Sequence, residues 1–473
     1  MESSNGSKLH FAMFPWLAFG HMIPYLELSK SLAIRGHKVT FISTPRNIDR
    51  LLKLPQFLSC SITFLKISLP RIPQLQDHAE ATTDIKMEDM NYLKKAYNGM
   101  ENELTKFLEN SVPDWIIYDF NPHWLPPIAQ KLGISRALFF IINAWFLAFF
   151  SPTPDIVNGS DYRTKPEDFT VPPKWITFET KVAYKLFETG WIIAAGQANE
   201  TGVSDISAAG QAICGSDVLL LRHSLEFEGE WLKLLEGMHH KPVVPLGLMP
   251  PVVEDVKDET WDSIKEFLGT QKKDSVLYVA LGSEVTLSEE QHSELAMGLE
   301  LSGVPFFWIL RNPPGPSQPD LVKMLEGVEE RVKGRGVVWK GWAPQLRILS
   351  HDSVGGFLTH CGWSSLIEGV MLGHPMVMLP FVVDQGLNAR VFADKKIGME
   401  IPRNEVDGSY VRESVAETVR SVMVEAEGMI FKEKAKEMSK VFGDAKLQNH
   451  HLENAILFLE NFYAEHKSRD MIK

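Results

Sequence analysis

Residues 354–368 read VGGFLTHCGWSSLIE, an apolar run that ends in a histidine, a cysteine, a glycine, a tryptophan and two serines. Three kinds of chemistry fit such an ending. A strand end with satisfied polar groups needs no ligand. A metal site would use His360 and Cys361, but these are sequence neighbours with no second ligand cluster nearby, and structural zinc takes four ligands. The third is an anion cradle, in which a strand turns sharply at His360, Cys361 and Gly362. The next helix then points its free amides and positive dipole end at a phosphate. Ser364 and Ser365 stand where an N-cap belongs, with Glu368 at the capping-box spacing from Ser365. From this stretch alone the strand-end and cradle readings both stay open. A second stretch, FPWLAFGHMIP (14–24), reads as a loop between a strand and a helix, with Gly20 before His21. A neutral imidazole suits proton removal near neutral pH, although a lone histidine is also a common structural residue.

The elements that must hold these groups are legible as alternation. LHFAMF (9–14), KVTFIS (38–43), DWIIYD (114–119), ALFFII (137–142) and DVLLL (217–221) are short apolar runs separated by helix-like segments. The first of those segments spans about 22–35 and ends at Gly36. After residue 250 the pattern restarts with SVLYVAL (275–281), VPFFWIL (304–310), GVVW (336–339), VGGFLT (354–359) and MVMLP (376–380). Strands without polar alternation, separated by helices, predict parallel sheets covered on both faces. Between the two series, PVVPLGLMPPVVEDVKDET (242–260) has the proline and acidic content of a domain connection. The expected division is a first domain over 1–248, a linker over 249–260 and a second domain over 261–450, with ligands at the carboxyl ends of the strands.

Composition narrows the function classes. The chain has 473 residues, 44% hydrophobic and 23% charged, in the range of globular proteins. A net charge of −12 argues against a nucleic-acid binder, yet leaves room for a small anion held by backbone amides. Three cysteines, Cys60, Cys214 and Cys361, form no framework, which points to a reducing compartment. The N-terminus lacks a signal-peptide pattern, and the apolar run 137–150 is too short for a transmembrane segment. The expectation is a cytoplasmic protein, with the sequons at Asn5, Asn158 and Asn199 chance matches.

The segment WAPQLRILSHDSVGGFLTHCGWSSLIEGVMLGHPMVMLPFVVDQ, Trp342 to Gln385, resembles over its whole length the signature box of the plant small-molecule UDP-glycosyltransferases. The resemblance extends over nearly the whole chain, from FPWLAFGH onward, and is greatest to the branch that adds a sugar to a sugar already on a terpenoid or flavonoid. It implies the GT-B fold: α/β, with two facing Rossmann-like domains of parallel sheets, and LENAILFLENFYAEH (452–466) crossing back onto the first.

Roles follow from the resemblance position by position. Trp342 would stack on uracil, and the Ala343 backbone would pair with its edge. Gln345 and Glu368 would hold the ribose hydroxyls. His360, Ser365, the amides after Gly362 and Ser283 would meet the diphosphate. Trp363, Asp384 and Gln385 would bind the sugar. Ser364 departs from the pattern, since the family usually has asparagine there, and a hydroxyl is shorter and lacks the paired groups of an amide. His21 would be the catalytic base and Asp119 its partner, the alternative for Asp119 being a helix N-cap. For the acceptor pocket, Trp16, Phe19, Trp124 and Trp145 would supply apolar walls, and His123 and Asn143 polar groups. Residues 180–196 would cover the cleft as an amphipathic helix.

The expected enzyme is an inverting transferase, a monomer with UDP-glucose as co-substrate and no metal. Gln385 favours glucose by family analogy, with UDP-rhamnose the alternative donor. Rival readings are a non-catalytic UDP-sugar or glycoside binding protein, and a nucleotide-sugar hydrolase or epimerase.

Overall fold

The computed structural model describes residues 8–51, 53–253, 259–282, 285–311 and 318–470. The first sheet comprises β1 (His10–Phe14), β2 (Lys38–Ser43), β3 (Ile62–Lys66), β4 (Trp115–Tyr118), β5 (Ser135–Phe140), β6 (Val218–Leu221) and β7 (Val243–Pro245). Its order is β3-β2-β1-β4-β5-β6-β7, parallel throughout. The second comprises β8 (Val276–Ala280), β9 (Phe306–Leu310), β10 (Gly336–Lys340), β11 (Val354–Thr359), β12 (Met376–Met378) and β13 (Gly398–Glu400). Its order is β10-β9-β8-β11-β12-β13, again parallel. Central strands such as β8 and β9 are buried at every residue, as their unbroken apolar sequence demands.

Each order reverses once, between β1 and β4 in the first sheet and between β8 and β11 in the second. Helices leave in opposite directions at such a switch point and open a crevice at the strand ends. There Phe14 pairs with Tyr118, and Ala280 with Thr359. His21 and Asp119 follow the first pair, and His360 the second.

The strands β3, β7 and β13 carry no clear signal in the sequence. All three are sheet edges, and only the first residue of each is fully buried. An edge strand covered on one side has no need of an unbroken apolar run. β7 lies in the stretch read as domain connection, and residues 254–258 of the expected linker lie outside the described residues. The first helix spans Phe19–Ile34, so His21 sits in its first turn and not in a loop. Residues 180–196 are not one helix either: a short 3₁₀ turn at Leu186–Glu188 precedes a six-residue helix, Gly190–Ala195. Gly190 and Gly196 bound the six-residue helix and leave no run long enough for a stable amphipathic helix.

The last helix, Ala445–Asp470, is longer than the 452–466 segment that its periodicity suggested. Ala455, Ile456 and Leu459 enter the core of the first domain beside Phe11 and Tyr25. Glu460 accepts from Arg35 Nε at 3.0 Å and meets His37 Nε2 at 2.8 Å. The helix is thus a structural part of the first domain supplied by the end of the chain. Leu459 has no exposed surface. Leu459→Ala is expected to cost about 2–5 kcal/mol of unfolding free energy, read by urea denaturation; an unchanged midpoint would show that the helix is only laid on the surface.

Candidate active site

At the first switch point, Asp119 is fully buried one residue past β4. Its Oδ2 accepts from the Trp16 amide at 3.0 Å and faces His21 Nδ1 at 2.7 Å, while Oδ1 accepts from the Phe120 amide at 2.9 Å. A carboxylate that only accepts requires the proton on His21 Nδ1, which leaves Nε2 with its lone pair. The Asp119 side chain is 1% exposed and that of His21 16% exposed, so the imidazole is the end of the pair that meets solvent. The Phe120 ring, 5.8 Å away between centroids, walls the imidazole on one side. Asp119 caps no helix, since the next begins at Leu125 with Trp124 as its N-cap residue.

At the second switch point the chain leaves β11, passes through Cys361 in the left-handed region (φ 68°) and enters the helix Trp363–Met371. The N-cap is Gly362, with no side-chain cap. This corrects the capping-box expectation: Ser364 and Ser365 lie inside the first turn, and Glu368 accepts instead from Gln345 Nε2 at 2.6 Å. Gln345 Oε1 accepts in turn from the Tyr278 hydroxyl at 3.2 Å, so the pair expected at a ribose stands together. Burial pushes the Glu368 carboxyl up, against the Gln345 hydrogen bond and the nearby Arg222 charge.

The His360 ring fills space that two glycines leave open. A Cβ on Gly282 or Gly362 would come within 2.6 Å or 2.5 Å of His360 Nε2. Burial, and secondarily Arg311, pushes the imidazole down to about 4. It is therefore neutral at ordinary pH, and its buried Nδ1 has no partner among the described residues. Trp342 is 62% exposed, an indole face open to a planar base, with Ala343 buried beside it. Ser365 is half-buried in the first helical turn. Ser283 lies outside the described residues.

The sugar-side candidates are more constrained. Gln385 Oε1 accepts from the Phe381 and Val382 amides at 2.9 and 3.1 Å, so the amide nitrogen is the end left for a hydroxyl. Asp384 Oδ2 accepts from Asn388 Nδ2 at 2.6 Å. The Trp363 indole is 5% exposed and donates to the Arg222 carbonyl at 2.8 Å, which removes it as a side-chain donor to a sugar.

Two expected acceptor residues stand elsewhere. Asn143 and Trp145 are fully buried at the domain junction, not on a pocket wall. Asn143 Nδ2 and Trp145 Nε1 donate to the same Asn388 Oδ1, at 2.7 and 2.8 Å. Trp145 also packs edge-on against Trp363, 5.2 Å between centroids. Trp16 is buried under Phe120, and Phe19 packs in the opposite core with Arg50 over its ring, so these two do not share a wall. Trp124 is half-buried and donates to Asn98 Oδ1 at 3.1 Å. Near it, His123 holds a buried Nδ1 with no partner among the described residues.

Sequence reasoning missed Asn388 and Arg222. Asn388 lies one helical turn after Asp384, a spacing that could have flagged the pair; Arg222 gave no local signal. It also missed that residues 185–188 dock on the second domain, Lys185 to Glu400 at 2.6 Å and Glu188 to Arg390 at 2.8 Å.

The family model described as UDP-glucoronosyl and UDP-glucosyl transferase matches residues 251–471. UDP-glycosyltransferase 91D2 of Stevia rebaudiana is 52% identical, covering 96% of this chain and 95% of its own. Soyasaponin III rhamnosyltransferase of Glycine max is 43% identical, covering 97% of each. The crystal structure of Glycyrrhiza uralensis UGT73P12, complexed with glycyrrhetinic acid 3-O-monoglucuronide, superposes with a TM-score of 0.79 at 21% identity over 98% of each chain. The fold is thus that of the GT-B plant glycosyltransferases.

Two outcomes follow from this geometry. Asn388→Asp puts an acceptor against Asp384 and the Cys361 carbonyl, which Asn388 Nδ2 reaches at 2.9 Å. A buried unmade hydrogen bond costs ~1–3 kcal/mol, so KM for the sugar donor should rise about tenfold while inhibition by UDP changes less; equal losses of both would assign Asn388 to general folding. Separately, burial holds His223, His239 and His360 at about 4, against 6.5 for an ordinary histidine. Between those values the unfolded chain binds more protons than the folded one, so stability falls as pH is lowered. Thermal unfolding should therefore shift to lower temperature from pH 6.5 to 4.5, and a flat profile would contradict the assignment.

Proposed function

The chain belongs to the UDP-glycosyltransferase family, and from that premise we propose that it transfers glucose from UDP-glucose to a hydroxyl of a small hydrophobic glycoside, a terpenoid or flavonoid, on a sugar the acceptor already carries. The observation that carries the reading is the His21–Asp119 pair at 2.7 Å, set at the switch point of one sheet while a helix N-terminus stands at that of the other.

In this reading His21 Nε2 takes the acceptor proton as the hydroxyl oxygen bonds to the anomeric carbon, and Asp119 stabilises the imidazolium that forms. General base catalysis of this kind contributes about 10²–10⁴-fold. The bond from the anomeric carbon to the diphosphate breaks in the same displacement, which inverts the centre and gives a β-linked product from an α-linked donor. Charge developing on UDP is met by the amides of the Trp363–Met371 helix, the neutral His360 N–H, and Ser365. The reading calls for no metal and takes the enzyme to act as a cytoplasmic monomer.

The second reading changes only the donor. Similarity to a rhamnosyltransferase over 97% of the chain supports UDP-rhamnose, while Gln385 favours glucose by family analogy. An assay offering UDP-glucose and UDP-rhamnose to terpenoid and flavonoid glycosides and their aglycones separates them. The expected result is glucose transfer to glycosides, with kcat in His21→Ala lower by at least about 10²-fold and UDP binding retained. Preference for UDP-rhamnose would replace the donor, reaction of aglycones alone would remove the sugar-on-sugar assignment, and full activity of His21→Ala would end the mechanism.

A further inference from the structure

Arg222 follows β6 in the first domain and is buried. Among the described residues its guanidinium makes three hydrogen bonds: Nε to the Leu248 carbonyl at 2.8 Å, Nη2 to the Met249 carbonyl at 3.2 Å, and Nη1 to Ser364 Oγ at 2.7 Å. All three end on neutral oxygens. The carboxylate whose charge reaches it is Glu368, which accepts its short hydrogen bond from Gln345 instead. Burial accordingly pushes the guanidinium down to about 10, still charged at neutral pH. A buried cation bonded only to dipoles is costly unless an anion completes the site.

The same residue grips the helix twice. Its carbonyl accepts from the Trp363 indole at 2.8 Å, and its side chain holds Ser364. These are the first two residues of the helix whose uncapped amides face the strand ends. Ser364 is also where the chain departs from the usual asparagine. A hydroxyl that accepts from a guanidinium turns its own proton outward, so the buried charge polarises it toward whatever lies in front.

We propose that Arg222 is a positioning residue of the donor site, which fixes the first turn of the Trp363–Met371 helix and, through Ser364, supplies from the first domain a buried positive charge for the diphosphate of the UDP-sugar. The inference rests on the reading of that helix as the diphosphate site. It assigns to the domain opposite the nucleotide a share in holding it, and it accounts for Ser364: the short side chain leaves room for the guanidinium, and the pair together does the work of a longer amide.

UDP and uridine differ by the diphosphate, so their affinities in parallel separate charge from shape. The wild-type enzyme, Arg222→Met, Arg222→Lys and Ser364→Ala would be titrated calorimetrically with each. A hydrogen bond to a charged group supports losses of about tenfold or more. Arg222→Met is expected to lose at least about tenfold in UDP affinity with uridine affinity unchanged, and Arg222→Lys to recover part of the loss. Ser364→Ala, which removes the hydroxyl and leaves Arg222 in place, should lose several-fold for UDP alone. Equal losses for UDP and uridine, or unchanged UDP affinity in Ser364→Ala and Arg222→Met, would overturn the proposal. A wild-type enzyme that binds UDP no better than uridine would instead overturn the diphosphate reading of the helix.

Discussion

The Asn388 carboxamide spends every hydrogen-bonding position it has. Its oxygen accepts from Asn143 and Trp145 of the first domain, and its nitrogen donates to Asp384 and the Cys361 carbonyl of the second. With no exposed surface, it has no water to fall back on. The orientation of the Asp384 carboxylate and of the turn at Cys361 therefore depends on how the two domains meet. Around it, Trp145, Trp363, Phe227, Phe392 and Phe442 form an aromatic joint in edge-to-face contacts, such as Phe227 to Phe442 at 5.0 Å. Apolar packing joins the halves, and this saturated amide sets their register together with the Arg222 bonds to Ser364 and Trp363 and the Lys185–Glu400 and Glu188–Arg390 pairs. One apolar cluster runs through the junction, taking in Trp145 and Phe227 of the first domain with Trp363, Phe392 and Phe442 of the second.

Backbone strain collects at the same place. Cys361 and Val383 both sit in the left-handed region, at φ 68° and 55°, which a β-branched valine adopts only under constraint. Each immediately precedes a segment with a site role, Gly362 and Asp384. The histidine between Gly282 and Gly362 completes the picture. By remaining neutral it can donate without carrying a charge of its own, so the positive potential there comes from the helix amides and the domain behind them.

Much of the fold was legible because central parallel strands, buried on both faces, must be apolar throughout. β8 and β9 show this, and β3, β7 and β13 show where it fails. The candidate site was legible to the extent that its residues lie in short local runs: His21 after β1, Asp119 after β4, and the stretch from Trp342 to Gln385. What failed were claims about long-range partners. Asn143 and Trp145 are near the strand ends, as expected, but face the other domain. The capping-box spacing at Ser365 and Glu368 was real, yet the helix starts earlier, with Gly362 as its N-cap, so Glu368 falls beyond the first turn and accepts from Gln345. Phe19 and Trp16, three residues apart, point into different cores because the helix starts between them, at Phe19.

The crossing of the last helix bears on how the molecule comes into being. A chain emerging from the ribosome completes all seven strands of its first sheet by Pro245, but Phe11 and Tyr25 wait for Ile456 and Leu459. At about 5–20 residues per second, the part of that core that Ala455, Ile456 and Leu459 will close stays open for tens of seconds while the second domain is being made, although Met22, Leu26 and Leu32 of the first helix already cover the rest. Each newly made copy thus carries an unfilled apolar notch in its first domain until the end of the chain arrives, so the first half reaches its final packing only after the second has been made.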